Sequence, residues 1–178
     1  MSVIFLAGVH GVGKGFLGTL VANLLGISHL TASQLIREEK GQTSWGVDKR
    51  VAELDDNQIA LIRAVARRRK ADRDILLDGH FVLRNSAGKL IQLPKNVFSD
   101  LKLSAVILLT EDSEIIAKRL LVRDGLVVSA ESILELASEE STHANEVCQR
   151  LEIPIFILHK PDVPTLTELV IRLTEKPI

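Results

Sequence analysis

The chain of 178 residues has one cysteine, one methionine, one tryptophan and no tyrosine. A lone Cys148 excludes an internal disulfide framework and a cysteine-rich zinc site, and its place in a helical pattern reads as a buried structural thiol. Aromatic residues make up 3% of the chain, too few for the stacking platforms that bind single-stranded nucleic acid. Charge of one sign is lacking as well. With 22 basic against 23 acidic side chains the formal net charge is -1, so composition carries no pull toward a polyanion. No segment approaches the ~18 uncharged apolar residues of a membrane span. The first apolar stretch, Val3 to Ala7, is short and has no basic region before it. These absences lead to the expectation of a cytoplasmic protein with no membrane contact and with nucleic acid disfavoured as a partner. The length predicts a single domain, 1–178, able to bury its own core.

What is present is most concentrated near the start. Val3-Ile4-Phe5-Leu6-Ala7 reads as a buried strand, Gly8-Val9-His10-Gly11-Val12-Gly13-Lys14-Gly15 as a glycine-rich loop, and Leu17, Leu20, Val21, Leu24 and Leu25 as the apolar stripe of a helix. Glycines let backbone N–H groups converge on phosphate oxygens without Cβ clashes, and a helix N-terminus adds the positive end of its dipole. The spacing G-x4-G-K matches the P-loop, with Lys14 placed to meet the β- and γ-phosphates of a nucleotide. Gly15 stands where Ser or Thr usually follows the lysine.

Short apolar runs then alternate with longer helical patterns. Strands are predicted at Ile27 to Leu30, Ile75 to Asp78, Ala105 to Leu109 and Ile155 to Leu158. Helices are predicted from Thr31 to Lys40, from Asp55 or Asp56 to about Lys70, after Pro94, from Asp112 to Arg123, from Ser129 to Leu151 and from Pro164 to Glu175. Gly41 to Gly46 reads as a polar loop, and Phe81-Val82-Leu83 with Leu90-Ile91-Gln92 as a hairpin turning at Asn85 to Gly88. Five apolar strands separated by helices predict an α/β fold whose parallel sheet is covered on both faces, with a ligand at the carboxyl ends of its strands.

Three groups carry candidate chemistry. Asp78 ends the third strand, where it either organises Mg2+ or caps the turn before Gly79. Arg119 and Arg123 project from one face of a helix, a pattern that suits a transferring phosphoryl group but on spacing alone reads first as a solvated basic helix end. His10 could touch a phosphate or only shape its turn, and His80 could order Asp78 or only pack. The basic run Arg67 to Lys70 reads as a solvated helix end, and His29, His143 and His159 as surface or core residues.

Together these stretches resemble the P-loop nucleoside monophosphate kinases, adenylate kinases in particular. The loop Gly8 to Gly15 is similar to theirs, His29 to Glu39 resembles their acceptor-binding segment, Asp78-Gly79 matches the Asp-Gly after the central strand, and Lys118 to Arg123 resembles the Arg-Leu-x-x-Arg element at the start of the lid. The segment Asp78 to Gly88 looks most like archaeal-type adenylate kinases and their small relatives. The resemblance implies a three-layer P-loop fold with strand order 2-3-1-4-5, an acceptor-binding insert at about 31–70 and a short lid at about 123–129. It implies ATP and Mg2+ as cofactors and a nucleoside monophosphate, AMP first, as acceptor. Gly8, Gly11, Val12, Gly13, Lys14, Gly15, Phe16 and Arg119 would bind ATP, with its adenine near Arg119 and residues 159–163. Lys14, Arg119 and Arg123 would stabilise the phosphoryl in transit, Thr31, Arg37 and Arg84 would hold the acceptor, and Asp78 would serve the metal.

The chain departs from this pattern in particular places. Phe16 stands where Thr is usual, His10 where Pro is common, and Ala32-Ser33 where Gly-Asp is frequent. The lid has no arginine between Arg123 and Ser129. A short lid excludes water poorly, and water competes for the phosphoryl group. Two further readings therefore stand beside the kinase: an ATP-binding switch or slow ATPase acting through a protein partner, and a kinase for a non-nucleotide acceptor.

Overall fold

The computed structural model describes residues 2–41, 54–71, 74–85 and 87–175; residues 42–46 of the expected polar loop lie outside them. Five strands form one parallel sheet: β1 (Val3–Ala7), β2 (Ser28–Thr31), β3 (Ile75–Asp78), β6 (Ala105–Thr110) and β7 (Ile155–His159). Their order is β2-β3-β1-β6-β7. Counted without the separate hairpin of β4 (Val82–Arg84) and β5 (Leu90–Gln92), this is the expected 2-3-1-4-5. The central strands β1, β3 and β6 are apolar nearly throughout because helices cover both of their faces. On the edge strand β7 Ile155, Phe156 and Leu158 are partly buried and Ile157 is 52% exposed.

Alternation along β1 divides the core into two layers. Ile4 and Leu6 join Val21, Leu76, Ile107, Ile116 and Leu166 on one face, while Val3, Phe5 and Ala7 join Leu35, Leu77, Phe81, Phe98 and Val147 on the other. Three of the phenylalanines pack as a unit. Phe5 meets Phe81 edge-on at 5.3 Å, and Phe81 stacks on Phe98 at 4.2 Å. A Cβ at Gly79 would lie 2.6 Å from Phe5 Cζ, so this cluster requires glycine directly after Asp78.

The helices are α1 (Lys14–Leu25), α2 (Ala32–Lys40), α3 (Leu54–Ala71), α4 (Lys95–Leu101), α5 (Ser113–Asp124), α6 (Ala130–Leu151) and α7 (Val163–Thr174). Helix α1 keeps part of its expected stripe: Val21 is buried and Leu17 and Leu25 pack against the core, with Gly18 and Ala22 also inward, whereas Leu20 and Leu24 are exposed. Small residues let α1 approach the sheet closely, which turns the two leucines outward. The basic end of α3 is engaged within the fold. Arg67 pairs with Glu39, Arg68 lies 3.4 Å from Glu38, and Arg69 donates to the Lys102 carbonyl at 3.0 Å. Among the described residues no helix is long and apolar enough to cross a membrane.

Candidate active site

The loop between β1 and α1 lies at the carboxyl end of the sheet, beside the strand-order reversal at β1. Gly8, Gly11 and Gly13 take φ of 138°, 85° and 114°. At Gly8 a Cβ would fall 2.6 Å from the Leu109 carbonyl oxygen, so both conformation and space demand glycine. The first α1 hydrogen bond runs from Leu17 N–H to Gly13 O at 3.0 Å, and Gly13 offers no capping side chain. The N–H groups of Lys14, Gly15 and Phe16 therefore have no acceptor within the helix, which is the arrangement that receives an anion.

Lys14 is buried at the centre of this loop. Its Nζ donates to the carbonyls of Gly8 at 2.6 Å and Val9 at 3.2 Å, and stands 3.8 Å from Asp78 Oδ1. An ammonium has three donors, so one is left to turn toward a phosphate. Loss of water lowers the Lys14 pKa, opposed by Asp78 and Glu140. Desolvation raises that of Asp78, opposed by Lys14 and His29. His80 keeps part of its surface open. Desolvation nevertheless holds its pKa well below the ordinary value, so at neutral pH its ring is uncharged.

Both lid-side arginines reach the loop. Arg119 donates from Nη1 to the Val12 carbonyl at 3.0 Å and from Nη2 to Glu111 Oε2 at 2.9 Å. Arg123 Nη2 contacts His10 Nε2 at 2.9 Å, and the Arg123 guanidinium also grips Asp124 at 2.6 and 2.8 Å. The lid between α5 and α6 is short: Gly125 ends α5, Ser129 caps α6, and Leu126 and Val127 between them are exposed. Phe16 is 71% exposed in the first turn of α1.

The three expected acceptor residues lie on β2, α2 and β4. Thr31 caps α2, its hydroxyl accepting Gln34 N–H at 3.2 Å. Arg37 is half-buried in the last turn of α2. Arg84 donates to the carbonyls of Gly88 and Ser132 and to Glu135, at 2.7, 3.2 and 2.9 Å, which ties the hairpin to α6. Among the described residues, no hydrogen bond joins Thr31, Arg37 or Arg84 to the P-loop.

Three contributors were missed in the sequence. Glu140, 1% exposed, accepts N–H groups from Gly8 at 3.3 Å, Phe81 at 2.9 Å and Val82 at 2.6 Å. A signal for it existed: Ile133, Ala137, Ala144 and Val147 set the buried stripe of α6, and Glu140 falls on that stripe. Glu111, with 7% of its side chain exposed, backs Arg119. His29, expected as a surface or core residue, places its Nε2 3.9 Å from Asp78 Oδ2.

Among the described residues no three His, Cys, Asp or Glu side chains form a ligand cluster. A divalent ion at the loop would therefore take its ligands mainly from nucleotide phosphates and water, as Mg2+ does. Asp78 suits that role: its side chain is 14% exposed, and the position of a Gly15 Cβ, 4.0 Å from Asp78 Oδ2, carries no side chain.

Residues 7–136 match the family described as the AAA domain, a span that includes the loop, Asp78 and both arginines. The chain belongs to this family. No curated protein matches it. Solved structures similar to this AAA-domain chain include shikimate kinase from Acinetobacter baumannii in complex with shikimate, at TM-score 0.62 and 17% identity over 97% of this chain and 92% of that one. Shikimate kinase from Bacteroides thetaiotaomicron aligns at TM-score 0.60 and 16% identity, over 95% and 98%. A gluconokinase from Sinorhizobium meliloti 1021 aligns at 0.53 and 13%, over 97% and 90%. These likenesses establish a P-loop kinase fold.

Proposed function

We propose that this chain is an ATP-dependent phosphotransferase that moves the γ-phosphoryl group of Mg-ATP to a small acceptor. The observation that carries this reading is the convergence of Lys14, Arg119 and Arg123 on one glycine-rich loop at a helix N-terminus. Phosphoryl transfer asks chiefly for positioning and charge neutralisation, which fixed cations and backbone N–H groups provide. Mg2+, when bound, would neutralise phosphate charge, and Asp78 would be the carboxylate that holds its water. Gly8, Gly11, Val12, Gly13, Gly15 and Phe16 form the cradle, and Arg119 flanks it as a neighbour for the nucleotide.

The acceptor in this reading is a nucleoside monophosphate, AMP first, supported by the similarity of residues 29–39 to the acceptor segment of adenylate kinases. Thr31 and Arg37 on α2 would hold it, with Arg84 reaching it only by leaving Glu135. That engagement of Arg84 favours a second reading, in which the acceptor is a small hydroxylated molecule and no second phosphate site is needed. Structural neighbours that are kinases of shikimate and gluconate are consistent with it.

The test is ADP release from Mg-ATP in the presence of AMP, CMP, GMP, UMP or dTMP, or of polyhydroxy acids. Stimulation by one monophosphate supports the first acceptor, and stimulation by a hydroxy acid the second. A rate indifferent to every acceptor would replace both with an ATP-driven switch.

A further inference from the structure

Thr19 fixes which nitrogen of His29 carries the proton. The Thr19 hydroxyl has one hydrogen and is 2.7 Å from the Gly15 carbonyl, which can only accept. Its 3.1 Å contact with His29 Nδ1 must then be donated by the ring. Nδ1 holds the proton, and Nε2 of the neutral ring presents a lone pair. That Nε2 is buried without a hydrogen-bond partner and lies 3.9 Å from Asp78 Oδ2, beyond the reach of a direct bond.

The ring is seated against α1. A Cβ at Gly18 would sit 2.6 Å from His29 Nε2 and 2.9 Å from Cδ2, so the imidazole lies directly on the α1 backbone. Two acceptors facing each other across 3.9 Å call for one shared donor with two hydrogens. An oxygen about 2.8 Å from each would meet both. An alcohol has a single hydrogen and satisfies one of them, whereas water satisfies both. The location decides which water. Gly15 stands where a P-loop usually carries the hydroxyl that binds the metal, and the side-chain position it leaves empty borders Asp78 Oδ2.

We infer that His29 is a positioning residue which, with Asp78, holds a water of the nucleotide-bound Mg2+, replacing from the second coordination sphere the direct hydroxyl ligand that Gly15 lacks. The inference rests on the Mg-ATP reading above. It accounts for an imidazole on β2, for Gly18 beneath it and for the Thr19 bond that sets its tautomer.

The experiment measures ATP binding to the full chain by calorimetry, with Mg2+ and with EDTA. His29→Asn keeps a donor for Thr19 and removes the Nε2 acceptor; His29→Gln returns an acceptor near the Nε2 position. The expected result is unchanged ATP affinity in EDTA, with the gain from Mg2+ reduced about three- to tenfold in His29→Asn and largely kept in His29→Gln. An undiminished Mg2+ gain in His29→Asn overturns the inference and leaves the Mg-ATP reading standing. Absence of any Mg2+ gain in the unaltered protein overturns that reading and the inference with it. Should His29→Asn not fold, 15N NMR of the unaltered protein decides. Nε2 should be unprotonated and its resonance should move with Mg-ATP but not with ATP in EDTA, and a proton on Nε2 overturns the inference.

Discussion

The Glu140 carboxylate accepts the N–H of Gly8 at 3.3 Å, joining the helix after the lid to the first residue of the phosphate loop. The same group accepts Phe81 and Val82 N–H, so α6, the P-loop and the segment after Asp78 are held by one side chain. A buried carboxylate with three backbone donors is an expensive group to remove in part, because its partners stay buried.

Glu140→Gln should therefore destabilise the fold by about 2–4 kcal/mol, since an amide keeps one acceptor and turns donors toward donors. The pH dependence has a defined sign. Burial pushes the Glu140 carboxyl above its ordinary 4.5, so the folded state holds the proton more tightly than the unfolded chain. This term favours folding at and below that ordinary value and declines as pH rises through the raised one. Urea unfolding across that window should show a flatter pH profile for Glu140→Gln.

The fold was legible because β1, β3 and β6 are apolar almost end to end, and Thr31, Asp112, Ser129 and Pro94 mark helix starts. The loop was legible because glycine and lysine spacing is local in sequence. The contacts of Glu140 with Gly8 and of His29 with Asp78 were not, because their partners are distant in the chain: Glu140 and Gly8 are 132 positions apart. The exposed leucines of α1 misled for a related reason, since contact with the sheet through Gly18 is a tertiary fact that a hydrophobic stripe does not encode.

Gly18→Ala places a methyl 2.6 Å from His29 Nε2. Overpacking should cost about 1–3 kcal/mol and outweigh the better helix propensity of alanine. Combined with His29→Ala, the loss should fall short of the sum of the two single losses, and additive losses in denaturant unfolding would count against the contact.

Arg119→Lys should reduce turnover more than tenfold. The guanidinium bonds Val12 O and Glu111 at once, and an ammonium does not reproduce that planar fork. Steady-state kinetics with Mg-ATP checks this, with circular dichroism to verify folding.

Cys148 is buried and its thiol is pushed up to about 11 by desolvation. The native protein should resist a disulfide reagent at neutral pH, while denaturant should expose one reactive thiol. Raising pH from 9.0 toward about 11 should weaken folding, since the folded thiol holds its proton over a range in which the unfolded thiol loses it.

The central claim, transfer of the γ-phosphoryl group from a site built on Lys14, is tested most directly by 31P NMR of products. The unaltered protein and Lys14→Ala are each incubated with Mg-ATP and the acceptor panel. The account predicts ADP and one phosphorylated acceptor from the unaltered protein and neither from Lys14→Ala. ADP with free phosphate alone, in equal amounts whatever acceptor is present, would contradict it.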